Sequence, residues 1–363
     1  MKRILGSLLI AAFVLQATPA FAQTDLTSST DQFITSYMQN PNGTLATYLK
    51  DSPSSNPNYV AGRESLSESL GLRMSYLFKK GDRARFQVQA DLLKQYYLSP
   101  ASGLVYWKLN KDGSSNVTTN ALIDDWRIAG ALFQAGEAWG NSAYVENAKG
   151  ISRALAAKNM KNGYFVDFYD ETYNINNDTL SLFYVDPVVL KYMQKYGIIT
   201  KKTYTRTIGV LNNAANDGVF FAKNFNVNTG TYRYDADVHM IEQIYTAYFR
   251  KQNGINSPGF YQFVKGEFAK NGRLYGQYSR NTRQPAVNFE SNAVYGMMIQ
   301  YALEMNDPAF AKAVYGRMKQ YEITDQTSPY YGGYVVETGQ GQDTHIFDNL
   351  FPLLAKQQLE RYY

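Results

Sequence analysis

The chain of 363 residues contains no cysteine and only two histidines, His239 and His345. Thiol nucleophiles, structural disulfides and cysteine metal sites are therefore excluded. Two isolated histidines with no HExxH between them make no case for zinc. The glycine-rich GxGxxG and GxxxxGK[ST] loops are missing, and so is the GxSxG elbow, which removes support for nucleotide binding and for a serine hydrolase. Positive charge is also scarce: the formal net charge is +5, or +3 once Lys2 and Arg3 are removed with an N-terminal leader. That is too little, and too dispersed, for a nucleic-acid reader. After residue 22 no apolar run approaches the roughly 18 residues of a spanning helix.

The leader itself is legible. Lys2 and Arg3 precede an apolar run from Ile4 to Leu15, and Ala20-Phe21-Ala22 supplies the small-x-small pattern of a signal-peptidase site. Residues 1–22 are read as a signal peptide and cleavage is expected near Gln23. With no cysteine to carry a lipid, a secreted extracellular protein with no membrane span after cleavage is expected.

What the chain has in quantity is aromatic residues, 15% of the total with 31 tyrosines, a composition that suits stacking on sugar rings but equally a tyrosine-rich core. It also has a period. Ser102-Gly103, Asn162-Gly163, Asp217-Gly218, Asn271-Gly272 and Gly332-Gly333 recur at intervals of 60, 55, 54 and 61 residues. Each opens an aromatic-rich stretch followed by a helical pattern, the mark of a repeat architecture.

Apolar residues at three- and four-residue spacings predict helices in pairs: 64–79 with 83–98, 120–139 with 142–157, 179–196 with 202–213, 238–250 with 258–270, and 289–305 with 308–321. A last helix over 344–361 and a first over 29–39 bring the number to twelve. The first member of each pair is apolar on most faces and the second on one face only, so six inner helices are expected inside six outer ones. The fold expected is all-α, an (α/α)6 barrel of six helical hairpins, with residues 23–60 as a helix and loop leading in and 61–363 as the barrel. Stretches such as NFNVNTGTYRY read as β-hairpins on the face where inner helices begin.

That topology brings a set of carboxylates to one mouth: Glu64, Glu68, Asp124, Asp125, Asp178, Asp235, Asp237, Glu290 and Asp343. Paired carboxyl groups in an aromatic cleft suit glycoside hydrolysis, where one protonates the leaving oxygen and another activates water or attacks carbon. Acids also favour helix N-termini for capping and for the macrodipole, and Ser65 with Glu68 has the form of a capping box. His239 lies one helical turn from Asp235, within reach if the segment is helical.

Three segments resemble glycoside hydrolase family 8. Ser67-Glu68-Ser69-Leu70-Gly71-Leu72-Arg73-Met74 is similar to its SEGQxYGM motif, Asp125-Trp126-Arg127-Ile128-Ala129-Gly130-Ala131-Leu132 to DADxxIAxAL, and Tyr234-Asp235-Ala236 to YDAxR. Ser181 to Pro187 is similar to a fourth, PSYF. The resemblance implies an inverting, endo-acting enzyme on an (α/α)6 barrel, with Glu68 as general acid and Asp235 as general base. It leaves the sugar-holding acid open between Asp124 and Asp125. Trp107, Trp126, Tyr184, Tyr234 and Arg73 complete the expected substrate-binding set. The altered acid and DAD motifs imply a substrate other than plain cellulose, and the chain looks closer to the divergent secreted members associated with exopolysaccharides of Gram-positive bacteria. The expected partner is a polysaccharide or oligosaccharide, the expected state a monomer, and no cofactor or metal is expected. Two alternatives remain open: a lyase or unsaturated uronyl hydrolase, which would need a mouth lined by Arg63, Arg73, Arg127 and Arg233, or a glycan-binding protein without catalysis.

Overall fold

The computed structural model describes residues 25–363 apart from 54, 55, 57 and 340. The expected signal peptide lies outside the described residues. Twelve α-helices are present among them: α1 (Ser28–Tyr37), α2 (Ser67–Lys80), α3 (Arg83–Leu92), α4 (Leu122–Trp139), α5 (Ser142–Lys158), α6 (Pro187–Lys195), α7 (Lys201–Asn212), α8 (Met240–Gln252), α9 (Pro258–Asn271), α10 (Asn292–Glu304), α11 (Pro308–Met318) and α12 (Phe347–Leu359).

The even-numbered helices form the inner ring of an (α/α)6 barrel. Each packs on its neighbour in the order α2, α4, α6, α8, α10, α12, and α12 closes back onto α2. Burial separates the two layers. Every residue of α10 from Asn292 to Leu303 is buried, whereas the outer α9 buries only Phe260 and Val264. An all-round apolar helix and a one-faced helix have met their predicted places.

Helix α1 packs on α12 and so completes the sixth hairpin from the opposite end of the chain. Lys356 on α12 donates to Thr30 Oγ1 at 2.8 Å and pairs with Glu322 at 2.7 Å. Arg73 on α2 pairs with Asp31 on α1 at 2.6 Å. The segment expected to lead into the barrel thus contains one of its walls.

The inner ring is tightest between α10 and α12. A β-carbon built on Gly296 would lie 2.5 Å from the carbonyl carbon of Phe351 and 2.6 Å from its oxygen. Backbone cannot move aside as a side chain can, so Gly296→Ala is expected to cost at least the upper end of the roughly 1–3 kcal/mol typical of overpacking. Thermal or denaturant unfolding of the variant checks this; an unchanged midpoint would contradict the packing.

The predicted hairpins are present but short. Asn224–Asn226 pairs with Thr231–Arg233 across the expected Asn-Thr-Gly turn, and Thr179–Ser181 adds a third strand. Asn162 and Gly163, with φ of 53° and 79°, turn Met160–Lys161 onto Tyr164–Phe165. Two positive φ values in succession are what a type I′ hairpin turn requires, and Asn-Gly is its favoured pair.

Helix starts differ from expectation in a consistent direction. α2, α4, α8, α10 and α12 begin two or three residues late because a strand or extended residue precedes each one. Ser65–Leu66 pairs with Lys108–Leu109, and Asp237–His239 pairs with Gln277–Ser279. The helix expected over 179–196 is broken into a strand, a 3-10 turn Leu182–Tyr184 and α6. Pro187 occupies the first turn of α6, with the Asp186 side chain accepting from Val188 and Val189. Proline restrains its predecessor from helical geometry and suits a first turn, so the break falls where it does.

Candidate active site

The inner helices present their N-terminal ends to a cavity of about 570 Å³. Glu68 is the second residue of α2, Asp124 the third of α4, Glu242 the third of α8 and Asp348 the second of α12. All four line the cavity, at nearly the same phase in four of the six hairpins. Between them the wall is apolar and aromatic, with Trp107, Phe183, Tyr184, Phe289 and Phe347 prominent. Trp107, Ala121 and Tyr184 also line an adjoining depression of about 500 Å³ that holds Asp167. The two spaces share an aromatic wall and run on as one groove.

The capping box predicted for Ser65 and Glu68 does not form. Ser65 lies in a strand, its hydroxyl donating to Thr44 at 2.8 Å, and the N-cap of α2 is Leu66 with no side-chain cap. Glu68 is thereby free of a capping role. Instead Arg127 Nη1 stands 3.2 Å from Glu68 Oε1 and 3.6 Å from Asp124 Oδ1. Arg127 also donates to the Tyr245 hydroxyl at 3.1 Å, and its guanidinium lies 5.6 Å from that ring's centre. Ser67 Oγ donates to Asp124 Oδ2 at 2.7 Å.

Burial pushes the Glu68 carboxyl up, against the pull of Arg127. Burial, and then the neighbouring Glu68 charge, push Asp124 up to about 7. Two carboxyl groups sharing one cation titrate as a unit, so protons leave this cluster stepwise. Tyr184 reports how closely the acids converge: burial and the charges of Asp167, Asp124, Glu68 and Glu242 all drive its phenol far up. Asp167, which accepts from Ser181 N at 2.7 Å and Ser181 Oγ at 2.8 Å, is pushed up to about 6 by burial.

The structure distinguishes Asp124 from Asp125. Asp124 reaches the cavity. Asp125 is fully buried and accepts from Val105 N and Asn120 Nδ2, both at 2.9 Å, which ties α4 to the preceding loop. Asp125→Ala is expected to destabilise by about 1–3 kcal/mol, since it strands buried donors. Asp124→Ala is expected to cost less stability, because Arg127 keeps Glu68 and Tyr245 as partners, and to lower activity. Melting curves and rates for the pair check the distinction; the reverse pattern would contradict it.

Several expected site residues stand elsewhere. Trp126 has no exposed surface and packs edge-on against Phe165 at 5.1 Å, so it is core and not a stacking platform. Arg73 is buried against Asp31, as a tie between α1 and α2. Tyr234 is exposed, with Arg280 over its ring, and does not line the cavity. Asp235 does not line it either: Arg280 Nη2 donates to its Oδ1 at 2.8 Å and Arg280 Nε to its backbone oxygen at 2.7 Å. His239 sits in a strand rather than a helix, near Gln277 at 3.5 Å, so the expected one-turn contact with Asp235 has no helix to make it.

Glu64 pairs with Lys108, Asp178 accepts from Asn226, and Asp343 accepts from Lys50 N. Glu290 is clasped by Arg317 and Arg273 and bonded to Tyr295, and Asp237 is exposed on a strand. Of the four arginines that a uronate site would need, only Arg127 reaches the cavity's carboxylates. Arg63 donates to the carbonyls of Tyr37, Leu49 and Gln39, Arg73 is in the wall, and Arg233 is exposed on a hairpin.

Trp107 and Tyr184 are where the sequence put them, on the cavity wall. Glu242, Asp348, Asp167 and both histidines also belong to the groove or its lining, and sequence reasoning gave none of them a site role. Their signal was phase: each acid on an inner helix falls at its second or third residue, which only correct helix starts reveal.

A barrel of this kind with acids and aromatics at the inner-helix mouth suits a glycoside hydrolase, and the chain belongs to the glycosyl hydrolases of family 8, whose pattern it matches over residues 1–220. It is 38% identical over 330 residues to the protein named Putative lipoprotein YdaJ of Bacillus subtilis (strain 168), covering 91% of this chain and 86% of that one. Among solved structures it is similar to PssZ from Listeria monocytogenes, with a TM-score of 0.72 and 26% identity over 92% of this chain and 96% of that one. A protein described as a novel alpha-amylase from Clostridium perfringens shares the fold at a TM-score of 0.83 and 24% identity, covering 94% of this chain and 99% of that one. The family acts on polysaccharides, and no described helix is long and apolar enough to cross a membrane.

Proposed function

We propose that the protein is an exported, endo-acting hydrolase of a bacterial exopolysaccharide that inverts the configuration of the bond it cuts, with Glu68 as general acid. The observation that carries this is the placement of Glu68: released from capping, half-buried beside the buried Asp124, and facing an aromatic-lined cavity. A carboxyl group raised by burial retains its proton toward neutral pH, which is what protonation of a leaving oxygen requires. Asp124, held by Ser67 and Arg127, is the acid that hydrogen-bonds the distorted sugar. Trp107 and Tyr184 stack on flanking residues of the polymer, and the open run past them into the adjoining depression supports cleavage within a chain rather than at its end.

The export reading rests on the N-terminal leader pattern and the exopolysaccharide reading on the family resemblance. The resemblance also assigns the base to Asp235. Arg280 leaves Asp235 Oδ2 without a hydrogen-bond partner, but the residue stands off the cavity wall. A base must face Glu68 across the bond being cut, with room for a water between them.

The test is mass spectrometry of products released from soluble starch, carboxymethylcellulose, mixed-linkage β-glucan, xylan and purified bacterial exopolysaccharides. The expected result is a ladder of oligosaccharides from an exopolysaccharide, with slower or no release from the plant polymers. Release of a single small sugar from chain ends, or no release from any polymer, would contradict the proposal.

A further inference from the structure

Val238 stands where the YDAxR pattern has its arginine, and it is buried in the strand that follows Asp235. A guanidinium reaches Asp235 all the same, from a residue 45 positions further along the chain. Gln277–Ser279 pairs with Asp237–His239, and the next step along the pair sets Arg280 beside Ala236. The Arg280 backbone N–H donates to the Ala236 oxygen at 2.8 Å.

All five side-chain N–H groups of Arg280 are engaged. Nε donates to the Asp235 backbone oxygen at 2.7 Å, and Nη2 to Asp235 Oδ1 at 2.8 Å. Nη2 donates also to the Phe221 oxygen at 2.8 Å. Nη1 donates to Asp217 Oδ2 at 2.8 Å and to the Phe220 oxygen at 3.2 Å. The five donors of arginine lie in one rigid plane, so a guanidinium with all of them placed keeps a single orientation. The residue is buried, and the ring of Tyr234 covers it with its centre 5.0 Å from Cζ. Its anchor holds its charge as well. Against burial, hydrogen bonds from Arg283, the Phe220 N–H and Arg280 hold Asp217 down to about 2.

We infer that Arg280 is a positioning residue for the catalytic base: it grips Asp235 at Oδ1 and at the backbone, so that Oδ2 alone is offered to the attacking water. This rests on the hydrolytic reading with Glu68 as acid and Asp235 as base. Asp235 lies just before the strand that leads into α8, and α8 stands opposite α2, which carries Glu68. Its Oδ2 is buried and has no hydrogen-bond partner. A grip on one carboxylate oxygen and on the residue's own backbone fixes the side-chain torsions, and the other oxygen then points one way. Its charge is felt at the cavity wall, where it adds to what burial does in pushing Glu242 up, against Lys223 and His239. Catalytic contacts are often long before substrate binds and tighten in the complex, so an aspartate behind the wall keeps its place as base. The water oxygen bonds to the anomeric carbon as its proton passes to Oδ2. The glycosidic oxygen leaves with its electron pair and takes the proton of Glu68.

The experiment measures kcat, KM, pH profiles and melting temperatures for Arg280→Met, Arg280→Lys, Asp235→Asn and the two double variants, on the fastest-cut polymer of the panel. Arg280→Met should lower kcat about 10²-fold, the loss that follows a reacting group displaced by about 1 Å, with KM little changed. An opposite charge at hydrogen-bond distance favours the ionised form of a carboxyl, and a base must be ionised to act. The acid limb of kcat/KM should therefore move to higher pH in Arg280→Met. Arg280→Lys keeps the charge without the fork, so it should leave the limb in place and recover only part of kcat. In Asp235→Asn there is no base to aim, and adding Arg280→Met should cost less than about threefold more.

If the acid limb stays put in Arg280→Met, or if that change costs as much beside Asp235→Asn as alone, Arg280 only holds the fold. The inference is then overturned and the hydrolytic reading stands. If Asp235→Asn keeps its rate, the base assignment falls and the inference with it. Should Arg280→Met prove unfolded, Arg280→Lys decides: an undiminished kcat, or the same loss with and without Asp235→Asn, overturns the inference.

Discussion

Replacing Glu68 with Gln is expected to lower kcat on the polymer about 10³-fold, within the range typical of a lost general acid. That corresponds to about 4 kcal/mol of transition-state stabilisation. The loss should depend on the leaving group. A polysaccharide oxygen must be protonated as it departs, whereas fluoride leaves without a proton, so an oligosaccharyl fluoride should be hydrolysed by Glu68→Gln at close to the original rate. Affinity for product oligosaccharides should hardly change, because Gln has the same shape and Asp124, Trp107 and Tyr184 remain. Stability should hold or rise slightly. The variant loses an ion pair to Arg127 at 3.2 Å but also removes the repulsion between two neighbouring carboxylates. Rates on polymer and on fluoride, measured side by side, check this. An equal loss on both substrates would point to damaged binding or folding and not to a missing proton donor.

The second large effect is at Arg127. Its guanidinium is the cation shared by Glu68, Asp124 and the Tyr245 hydroxyl, and it is shielded by the ring of Tyr245. Arg127→Met strands the buried Asp124 carboxyl and the half-buried Glu68 carboxyl, and breaking a buried pair costs up to about 3–5 kcal/mol. The cost should depend on pH. Both carboxyls are already raised by burial, and loss of the cation raises them further above their unfolded values. A carboxyl whose folded value is raised favours the folded state while protonated and loses that favour as pH climbs from its unfolded value through its folded one. The destabilisation should therefore be small near pH 4 and grow toward pH 8.

Activity should shift the same way. With Glu68 as the proposed general acid, which must be protonated to act, the alkaline limb of kcat/KM should move to higher pH in Arg127→Met. Melting curves and pH–rate profiles across that range check both. A constant loss of stability at every pH, with an unmoved alkaline limb, would mean that Arg127 only fills space.

The barrel was legible in the sequence because three independent patterns agreed: the near-constant glycine interval, the alternation of all-round and one-faced apolar helices, and the hairpin turns between them. Gly103, Gly163, Gly218 and Gly272 all adopt positive φ, between 64° and 92°, and in the fifth pair Gly332 does so, at 84°. That Glu68, Trp107 and Tyr184 stand at the mouth was legible too, whereas Asp124 was legible only as one of two candidates with Asp125.

What stayed hidden was a matter of two or three residues. With α8 placed from Val238, Glu242 reads as a fifth residue whose acid merely complements the macrodipole. With α8 starting at Met240, it falls into phase with Asp124. The strand Asp237–His239 causes the shift, and its pairing with Gln277–Ser279, some forty residues away, has no local signal. Trp126 and Arg73 misled for the converse reason. A helix N-terminus near the mouth turns some side chains into the cavity and others into the wall, and only packing decides which.

The most direct test is proton NMR of the anomeric signal in the first minutes of hydrolysis, before mutarotation. If Glu68 protonates the leaving oxygen while a second carboxylate activates a water on the opposite face of the sugar, the first-formed reducing end must carry the configuration opposite to the bond that was cut. A first product of retained configuration would contradict this, since it requires a carboxylate that attacks carbon directly and leaves no room for a water.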